Sequence, residues 1–401
     1  MYRIRQARPN DLDTLLKLAK TVFFTNLPAD KDGISERIRW SRECFRALIR
    51  GEEHDPSRNG KARHGVGGAG GRSPHFMFVL EDEHGQPIGT SAVIAEMGSP
   101  GNPNVSLHLR KREMFSSDLK TGSTHVTVQL HLDESGPTEV GGLILAPTFR
   151  GGHLGRFLSF VRFHFIGAHR DHFSDSLLAE MMAPISPEGL NPFWEHFGRR
   201  FINLSYTEAD QFCQRSREFM TSLLPREEIY LSLLPPEARA TIGKVAPETM
   251  PARRLLEKVG FVYEDRVDPF DGGPHLQAVT DDVGLVRETR AAEISGTIPT
   301  GKGKRTGIVS VVHADGADEP FVAVMTDYTD TAGSAGIKIP AAALRALSVS
   351  QGDTVHVTPT DIVGATRTAS SSSKPKSKPA TSKSKKSPSS TKRPASRKSR
   401  L

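Results

Sequence analysis

The chain has 401 residues, of which 36% are hydrophobic, and a formal net charge of +7. This content supports two or three folded units with buried cores, and no apolar run approaches the roughly 18 residues of a membrane-spanning helix. Two cysteines, Cys44 and Cys213, exclude a disulfide framework and a Cys-based metal site, so no metal is expected. The first residues lack the apolar segment of a secretion signal, which favours a cytoplasmic location.

Hydrophobic spacing predicts alternating helices and strands in the first third of the chain. Up to residue 132 the predicted elements are, in order, a strand at 2–7, helices at 11–20 and 35–49, a hairpin of strands at 75–81 and 88–97, and a strand pair within 105–132. The glycine-rich, charged residues 51–73 are expected to form a mobile loop.

The most informative segment is an apolar strand at 139–145 joined to a helix at 156–169 by a basic, glycine-rich turn. The turn reads Arg150-Gly-Gly-His153-Leu-Gly155, and the core face of the helix is predicted to contain Phe157, Leu158, Val161 and Phe165. Amides at a helix N-terminus bind anions, and glycines let the backbone approach them. The Lys-Ser or Lys-Thr pair of a Walker loop is absent, and the run does not open a βαβ unit. The segment therefore indicates a pyrophosphate cradle with coenzyme A as the favoured ligand, and an ordinary strand-to-helix turn is the alternative at this point.

A second motif lies further along the chain. A strand at 176–182 and a largely helical insertion at about 185–248 precede an amphipathic helix that starts near Thr249 and ends at the C-cap glycine Gly260. The turn and this helix, in this order, resemble the Arg-x-x-Gly-x-Gly turn and the Glu-Lys-x-Gly-Phe helix of GCN5-related acyltransferases. The resemblance implies an α+β fold with a mixed, mainly antiparallel sheet flanked by helices.

A wider set of short motifs narrows this resemblance. They are Thr25-Asn-Leu-Pro-Ala29, Phe76-Met-Phe-Val-Leu-Glu-Asp82, Ala179-Glu-Met181, Pro192-Phe-Trp194, Gly198-Arg-Arg-Phe201, Ala209-Asp210, Ile242-Gly243, Pro251-Ala-Arg253 and Phe270-Asp-Gly-Gly-Pro274. Together they are similar to the arginine N-succinyltransferase family, from residue 1 to about 290 and again near the C-terminus. The resemblance implies transfer of a succinyl group from succinyl-CoA to the α-amine of L-arginine, in arginine catabolism. Acyl-CoA is then a co-substrate, and no permanently bound cofactor is expected.

The resemblance also assigns candidate site residues. The coenzyme is expected to contact Leu143, Leu145, Arg150, Gly151, Gly152, His153, Leu154 and Gly155. Glu139 matches a family glutamate in the pattern Asp133-x-x-Gly136-x-x-Glu139 and is the first candidate for binding the amine or the guanidinium, although a solvated strand-end carboxylate is an equal alternative. Glu180 is the second candidate, because an acidic residue in an apolar strand should face a cleft or a basic partner.

Two departures from the pattern concern proton transfer. The family's proton-donor histidine is replaced by Ala246, and the tyrosine that many related acyltransferases use is replaced by Leu256. A positioned general acid is worth about 10² to 10⁴ in rate, and a coenzyme A thiolate is a tolerable leaving group. The absence of these two proton donors is therefore compatible with activity. His153 and His275 are the candidates to replace them as proton donor.

The C-terminal part divides by composition. We expect an acyltransferase domain at 1–290, a linker at 291–303, a small β-rich unit at 304–362 and a Lys/Ser/Pro-rich disordered tail at 363–401. Residues 365–401 contain twelve Lys or Arg and no acidic residue, so removing them from the net charge of +7 leaves −5. Such a tail is expected either to bind polyanions weakly and in a salt-dependent manner, or to be a solubilising segment with no defined partner.

Three functional classes remain open from the sequence. The first is an active acyl-CoA N-acyltransferase, and the second is a catalytically impaired homologue or supporting subunit that binds coenzyme A. The third is a nucleic-acid-associated protein that acts through its tail. A homo- or hetero-oligomer is expected, and no membrane contact.

Overall fold

The computed structural model describes residues 1–21, 27, 29–52, 72–186, 188–213, 216–314, 316–317, 319–333 and 335–363. The predicted mobile loop at 51–73 lies almost wholly outside these residues, as do the basic tail and most of the motif Thr25-Asn-Leu-Pro-Ala29.

The elements before the second motif follow the predicted order. They are β1 Arg3–Gln6, α1 Leu12–Ala19, α2 Lys31–Ile49, β2 His75–Glu81, β3 Pro87–Ile94, β4 Asn104–Ser116, β5 Thr121–Asp133, β6 Thr138–Leu145, α3 Leu154–Ala168, β7 Ser176–Glu180, α4 Pro192–His196, α5 Gly198–Ile202, α6 Tyr206–Cys213, α7 Glu218–Leu223, β8 Ile229–Tyr230 and α8 Pro236–Thr241. Helix α2 begins one turn earlier than its apolar spacing predicts, because the Asp30 side chain accepts a hydrogen bond from the Gly33 amide at 2.8 Å and caps the helix.

The remaining elements build the C-terminal part of the described chain. They are α9 Met250–Val259, β9 Val262–Val267, β10 Pro274–Val279, α10 Gly284–Arg287, β11 Arg290–Ile298, β12 Arg305–Val312, β13 Phe321–Asp330, β14 Ile337–Pro340, α11 Ala341–Leu347 and β15 Thr354–Pro359. Helix α9 ends where Gly260 adopts a left-handed φ of +113°, as the C-cap glycine predicts.

The strands form one mixed sheet, mainly antiparallel. Its order is β12-β15-β11-β14-β13-β1-β2-β3-β6-β7-β10-β9-β4-β5-β8. Helix α3 packs on one face, where Phe157, Leu158, Val161 and Phe165 are buried as predicted. On another part of the core, α1 and α2 place Leu15, Ile34 and Ile38 against strands β2, β3 and β6.

The segment predicted as a linker at 291–303 is a strand over most of its length. In β11, Ala292 and Ile294 are buried whereas Ala291 and Glu293 are exposed, which is the alternation of a half-buried strand. Its alanines, glutamate and glycine obscure this alternation in the sequence. The linker prediction is therefore wrong: residue 290 directly begins a strand that pairs with β14 and β15.

The C-terminal strands continue the main sheet rather than forming a separate layer. Strand β13 pairs with β1, where Ala323 lies opposite Ile4. On α3, the buried imidazole of His164 makes hydrogen bonds of 2.6 Å to the hydroxyls of Ser310 and Thr358. Burial lowers the pKa of His164 well below its usual value, so the ring is neutral in this contact. Hydrogen bonds to β12 and β15 thus anchor α3, the helix after the glycine-rich turn, to the C-terminal strands.

None of the described helices is both long enough and apolar enough to cross a bilayer.

Candidate active site

Strands β6 and β7 are parallel neighbours that separate after a short pairing. They pair only at Thr138 with Leu177 and Glu139 with Leu178, after which β6 continues to Leu145 without β7 beside it in the described sheet. The carboxyl ends of the two strands are therefore not paired with each other, and we call the region between these ends the wedge.

A β-bulge in β6 lies at this wedge. Between two pairings with β3, those of Gly141 and Ile144, β6 contains one residue more than its partner, and Gly142 has a φ of +59°. A bulge of this kind bends the strand and leaves backbone amides unpaired by the ladder. Amides aimed into a cleft are the donors that stabilise the oxyanion of an acyl-transfer intermediate.

The glycine-rich turn follows β6 and precedes α3. Gly151 has a φ of +95°, and a Cβ atom added at Gly151 or Gly152 would meet no atom within 4 Å. A Cβ atom at Gly155 would meet only Leu145 Cδ2, at 3.8 Å. The space in front of the α3 N-terminus is therefore open, as an anion site requires.

The side chains of the turn leave this space accessible. His153 is exposed and makes no capping hydrogen bond, and the Arg150 Nε donates to the carbonyl of Leu145 at 3.1 Å. Leu143, Leu145 and Leu154 are half-buried against the core below α3. The structure thus brings the predicted cradle residues together in one continuous segment.

A second polar cluster lies on the neighbouring strands, and we call Glu180, Asp268 and His275 the acidic cluster. His275 in β10 is in register with Glu180 in β7, and His275 Nε2 lies 3.9 Å from Glu180 Oε1. One carboxylate oxygen of Asp268 lies within 4.8 Å of a carboxylate oxygen of Glu180 and of a ring nitrogen of His275. The Glu180 side chain is 16% exposed whereas that of His275 is 2% exposed, so Glu180 is the more accessible of the pair.

Asn104 at the start of β4 connects the acidic cluster to the helical insertion. Asn104 Nδ2 donates to Glu180 Oε1 at 3.2 Å, and Asn104 Oδ1 accepts from Arg217 Nη1 at 3.3 Å. Arg217 immediately precedes α7 in the insertion. A guanidinium from the insertion is thereby placed beside the end of β7.

Glu139 lies deeper in the same region and has no accessible surface. Its carboxylate is within electrostatic range of Arg37, Arg162 and Arg217, and its charge opposes the effect of burial, which lowers the pKa of Arg37 to about 10. Burial is the stronger influence on Arg162 and lowers its pKa to about 10. Glu139 therefore lies among cationic groups rather than at the surface of the wedge.

Burial shifts the pKa values of several carboxyl groups around the acidic cluster. Burial and the charges of Asp271 and Glu180 raise the pKa of Asp268 to about 7. Burial likewise raises the pKa of Asp271 and of Asp210 to about 6. These groups can therefore exchange protons near neutral pH, as a site that transfers protons requires.

The raised pKa of Asp268 predicts a pH-dependent effect on stability. The folded state keeps this proton up to about pH 7, whereas the unfolded chain loses it near pH 3.9. Because the folded state binds this proton more tightly, the proton stabilises the fold. This stabilisation is complete below pH 3.9 and is lost as the pH rises through 7. Asp268→Asn cannot ionise and retains the oxygen that accepts from the Phe270 amide at 2.7 Å. We expect its melting temperature at pH 8 to exceed that of the wild type by about 2–4 °C.

Thermal unfolding of both proteins at pH 4, 6 and 8 measures this difference, which should vanish toward pH 4. Asp265→Asn on β9 is the matched control, because Asp265 is exposed and any difference should not depend on pH. A lower melting temperature for Asp268→Asn at pH 8 would mean that the ionised carboxylate stabilises the fold.

The positions of the absent proton donors are apolar. Ala246 is buried, and its amide donates to the Met182 carbonyl at 3.0 Å, just beyond the end of β7. Leu256 is buried in the core beside α3. Of the two histidines predicted as replacements, His275 belongs to the acidic cluster and His153 lies exposed at the cradle.

The sequence predictions missed Asn104, Arg217 and Asp268. Asp268 lies just before the Phe270-Asp-Gly-Gly-Pro274 motif, and this proximity was the available signal. No spacing links Asn104 or Arg217 to the strand ends, because they come from different parts of the chain. The glycine pair Gly141-Gly142 inside a predicted strand was the signal for the bulge.

Comparisons with known proteins agree over most of the chain. A family model described as arginine N-succinyltransferase beta subunit matches residues 2–285. An arginine N-succinyltransferase of Yersinia enterocolitica is 35% identical over 298 residues, which cover 73% of this chain and 80% of that protein. One of Photorhabdus laumondii is 31% identical over 361 residues, covering 89% of this chain and 98% of that protein.

A solved structure is also similar. It is subunit AI of the arginine/ornithine succinyltransferase from Pseudomonas aeruginosa, with a TM-score of 0.70 and 24% identity. The match covers 90% of this chain and 98% of that one. The predicted α+β acyl-CoA N-acyltransferase fold is thereby confirmed.

Proposed function

Because the chain belongs to the arginine N-succinyltransferase family, we propose that it transfers the succinyl group of succinyl-CoA to the α-amine of L-arginine. The amine nitrogen attacks the thioester carbon, the carbon–sulfur bond breaks, and N2-succinyl-L-arginine and coenzyme A are released. The observation that carries this proposal is the divergence of β6 and β7, with the glycine-rich turn after the end of β6 and the acidic cluster at the end of β7. We place the reaction in the cytoplasm, as a step of arginine catabolism.

The cradle would hold the coenzyme pyrophosphate. Backbone amides of residues 151–155 would be the donors, because these residues lead into the N-terminus of α3, where the helix dipole favours negative charge. Arg150 and His153 would add their side chains to the phosphates. Leu143 and Leu145 would line the path of the pantetheine arm as it enters the wedge.

The oxyanion would be stabilised at the bulge of β6. The family's backbone contact to succinyl-CoA corresponds to Leu143, which follows Gly142 and its left-handed conformation. A preformed amide donor of this kind contributes about 10² to 10³ in rate. The thioester carbonyl would then lie between the cradle and the acidic cluster.

The acceptor amine would enter from the side of the acidic cluster. A free α-amine has a pKa of about 8 and must lose a proton before it attacks. Glu180 is the accessible carboxylate there, and we assign it as the group that receives this proton. His275, buried behind Glu180 at 3.9 Å, would position it and share its proton, while Glu139 would act on the acceptor through its charge.

The reaction can proceed without the family's histidine. At neutral pH the coenzyme thiolate leaves as an anion, so the missing donor at Ala246 slows the step and does not block it. Ala246 and Leu256 nevertheless favour a second candidate function. It is a homologue that binds coenzyme A and supports another subunit without turnover.

One assay separates the two functions. The full chain is incubated with succinyl-CoA and L-arginine while free thiol is followed, and the amine product is identified by mass. We expect thiol release that depends on the amine and yields succinylarginine. Acetyl-CoA as donor, and ornithine, lysine and spermidine as acceptors, serve as comparisons. Binding of succinyl-CoA in calorimetry without thiol release from any amine would instead support the non-catalytic function.

Two expectations about partners remain predictions. Assembly into a homo- or hetero-oligomer can be measured by light scattering of the purified chain. Polyanion binding by residues 365–401 can be measured with DNA, comparing the full chain with one that ends at residue 364.

A further inference from the structure

The guanidinium of Arg217 has unused hydrogen-bonding capacity. Within the described part of the chain, its one hydrogen bond is that from Nη1 to Asn104 Oδ1 at 3.3 Å. Its Nε is shielded from solvent and has no described acceptor within hydrogen-bonding distance. A guanidinium has five N–H donors in a fixed fork, and a shielded donor without an acceptor is costly.

Carboxylates near Arg217 stabilise its positive charge without forming a salt bridge to it in the described part of the chain. Burial lowers the pKa of Arg217, but the surrounding acidic groups, which include Glu180, Glu139 and Asp268, outweigh this and raise it. None of the three carboxylates is in salt-bridge contact with the guanidinium among the described residues. Arg217 thus carries a permanent positive charge beside Glu180, and some of its N–H donors have no hydrogen-bond acceptor among the described residues.

Resting on the function proposed above, we propose that Arg217 binds a carboxylate of a bound substrate and so determines specificity. Both substrates carry one: L-arginine has its α-carboxylate, and the succinyl group has its free end. A planar guanidinium fork matches a carboxylate in bidentate geometry. An α-carboxylate on Arg217 would place the adjacent α-amine toward Glu180, since Asn104 bridges the two residues.

The test removes one carboxylate at a time. Butyryl-CoA replaces succinyl-CoA as a donor of equal chain length without the carboxylate, and agmatine replaces L-arginine without the α-carboxylate. The kcat/KM of wild type, Arg217→Gln and Arg217→Lys is measured with all four pairs. We expect Arg217→Gln to lose about 100-fold with the substrate whose carboxylate it binds, and little when that carboxylate is absent. Arg217→Lys should recover part of the loss, because it retains the charge without the fork.

The pattern of losses identifies the source of the carboxylate. A loss that disappears with agmatine assigns Arg217 to the acceptor, and one that disappears with butyryl-CoA assigns it to the acyl group. An equal loss with all four pairs, or no loss, overturns the proposal. Arg226→Gln is the matched control, because Arg226 is an exposed arginine of the same insertion and should retain wild-type values.

A binding measurement separates this proposal from the proposed reaction. Calorimetry compares succinyl-CoA with butyryl-CoA, and L-arginine with agmatine, on wild type and on both variants. If the wild type binds but shows no turnover, the proposed reaction fails, and a carboxylate-dependent loss of affinity in Arg217→Gln still supports the role of Arg217. If Arg217→Gln unfolds, the same comparison on Arg217→Lys decides, because a preference for the carboxylate-bearing ligand as large as that of the wild type would refute the role of Arg217.

Discussion

Gly152→Asp is expected to weaken the binding of succinyl-CoA by about 100- to 1,000-fold without destabilising the fold. A Cβ atom at residue 152 meets no atom within 4 Å, and Gly152 does not adopt a positive φ, so the backbone accepts a side chain. A carboxylate just before α3 also suits the helix dipole. The same carboxylate would lie beside the coenzyme pyrophosphate, where two like charges about 4 Å apart repel by about 4 kcal/mol.

Calorimetry with succinyl-CoA measures this effect, and thermal unfolding checks the fold. Gly152→Asn is the matched control, because it has nearly the same size and no charge. We expect Gly152→Asn to lose far less affinity than Gly152→Asp, and the gap between them to narrow at high salt. Equal affinity of both variants and the wild type would show that the coenzyme does not occupy the turn.

The local structure of the proposed cradle was predictable because it is continuous in the sequence. The strand, the turn and the helix from residue 138 to residue 168 are neighbours along the chain, so local spacing and glycine positions suffice to predict them. The same holds for the hairpin of β2 and β3 and for the C-cap at Gly260. Each of these features depends on interactions between residues that are close in the sequence.

The acidic cluster and its contacts to Asn104 and Arg217 were only partly predictable, because they are assembled from distant segments. Asn104, Glu180, Arg217 and Asp268 belong to four parts of the chain that meet only in the folded sheet. Glu180 was found because it is an acidic residue in an apolar strand, which is a local signal. Arg217 is one of many arginines in the sequence, and only its position beside Glu180 distinguishes it.

The error at residues 291–303 has a related cause. Strand β11 is held by pairing with β14 and β15, which lie about 40 and 60 residues later in the chain. Its own residues contribute only a weak alternation of buried and exposed side chains. The stability of this strand therefore comes from its neighbours, and composition alone suggests a linker.

Glu180→Gln is expected to lower kcat/KM for succinyl transfer by about 10² to 10⁴, because the amide cannot accept the amine proton. Its oxygen can still accept from Asn104 Nδ2, so the local hydrogen bond and the fold should persist. The loss should fall mainly on kcat, and it should diminish at high pH, where more of the amine is already deprotonated. Stopped assays with succinyl-CoA and L-arginine from pH 6 to pH 10 measure both effects.

Two further variants define how Glu180 works. Glu264→Gln on β9 is the matched control, because Glu264 is an exposed glutamate of the same sheet and should retain wild-type rates. His275→Gln should lose less than Glu180→Gln and shift the pH profile, because His275 acts through the carboxylate 3.9 Å away. If the two residues act as one unit, the double variant should be no slower than Glu180→Gln. Additive losses would mean that His275 acts independently of Glu180, and full activity in Glu180→Gln would place the acceptor outside the acidic cluster.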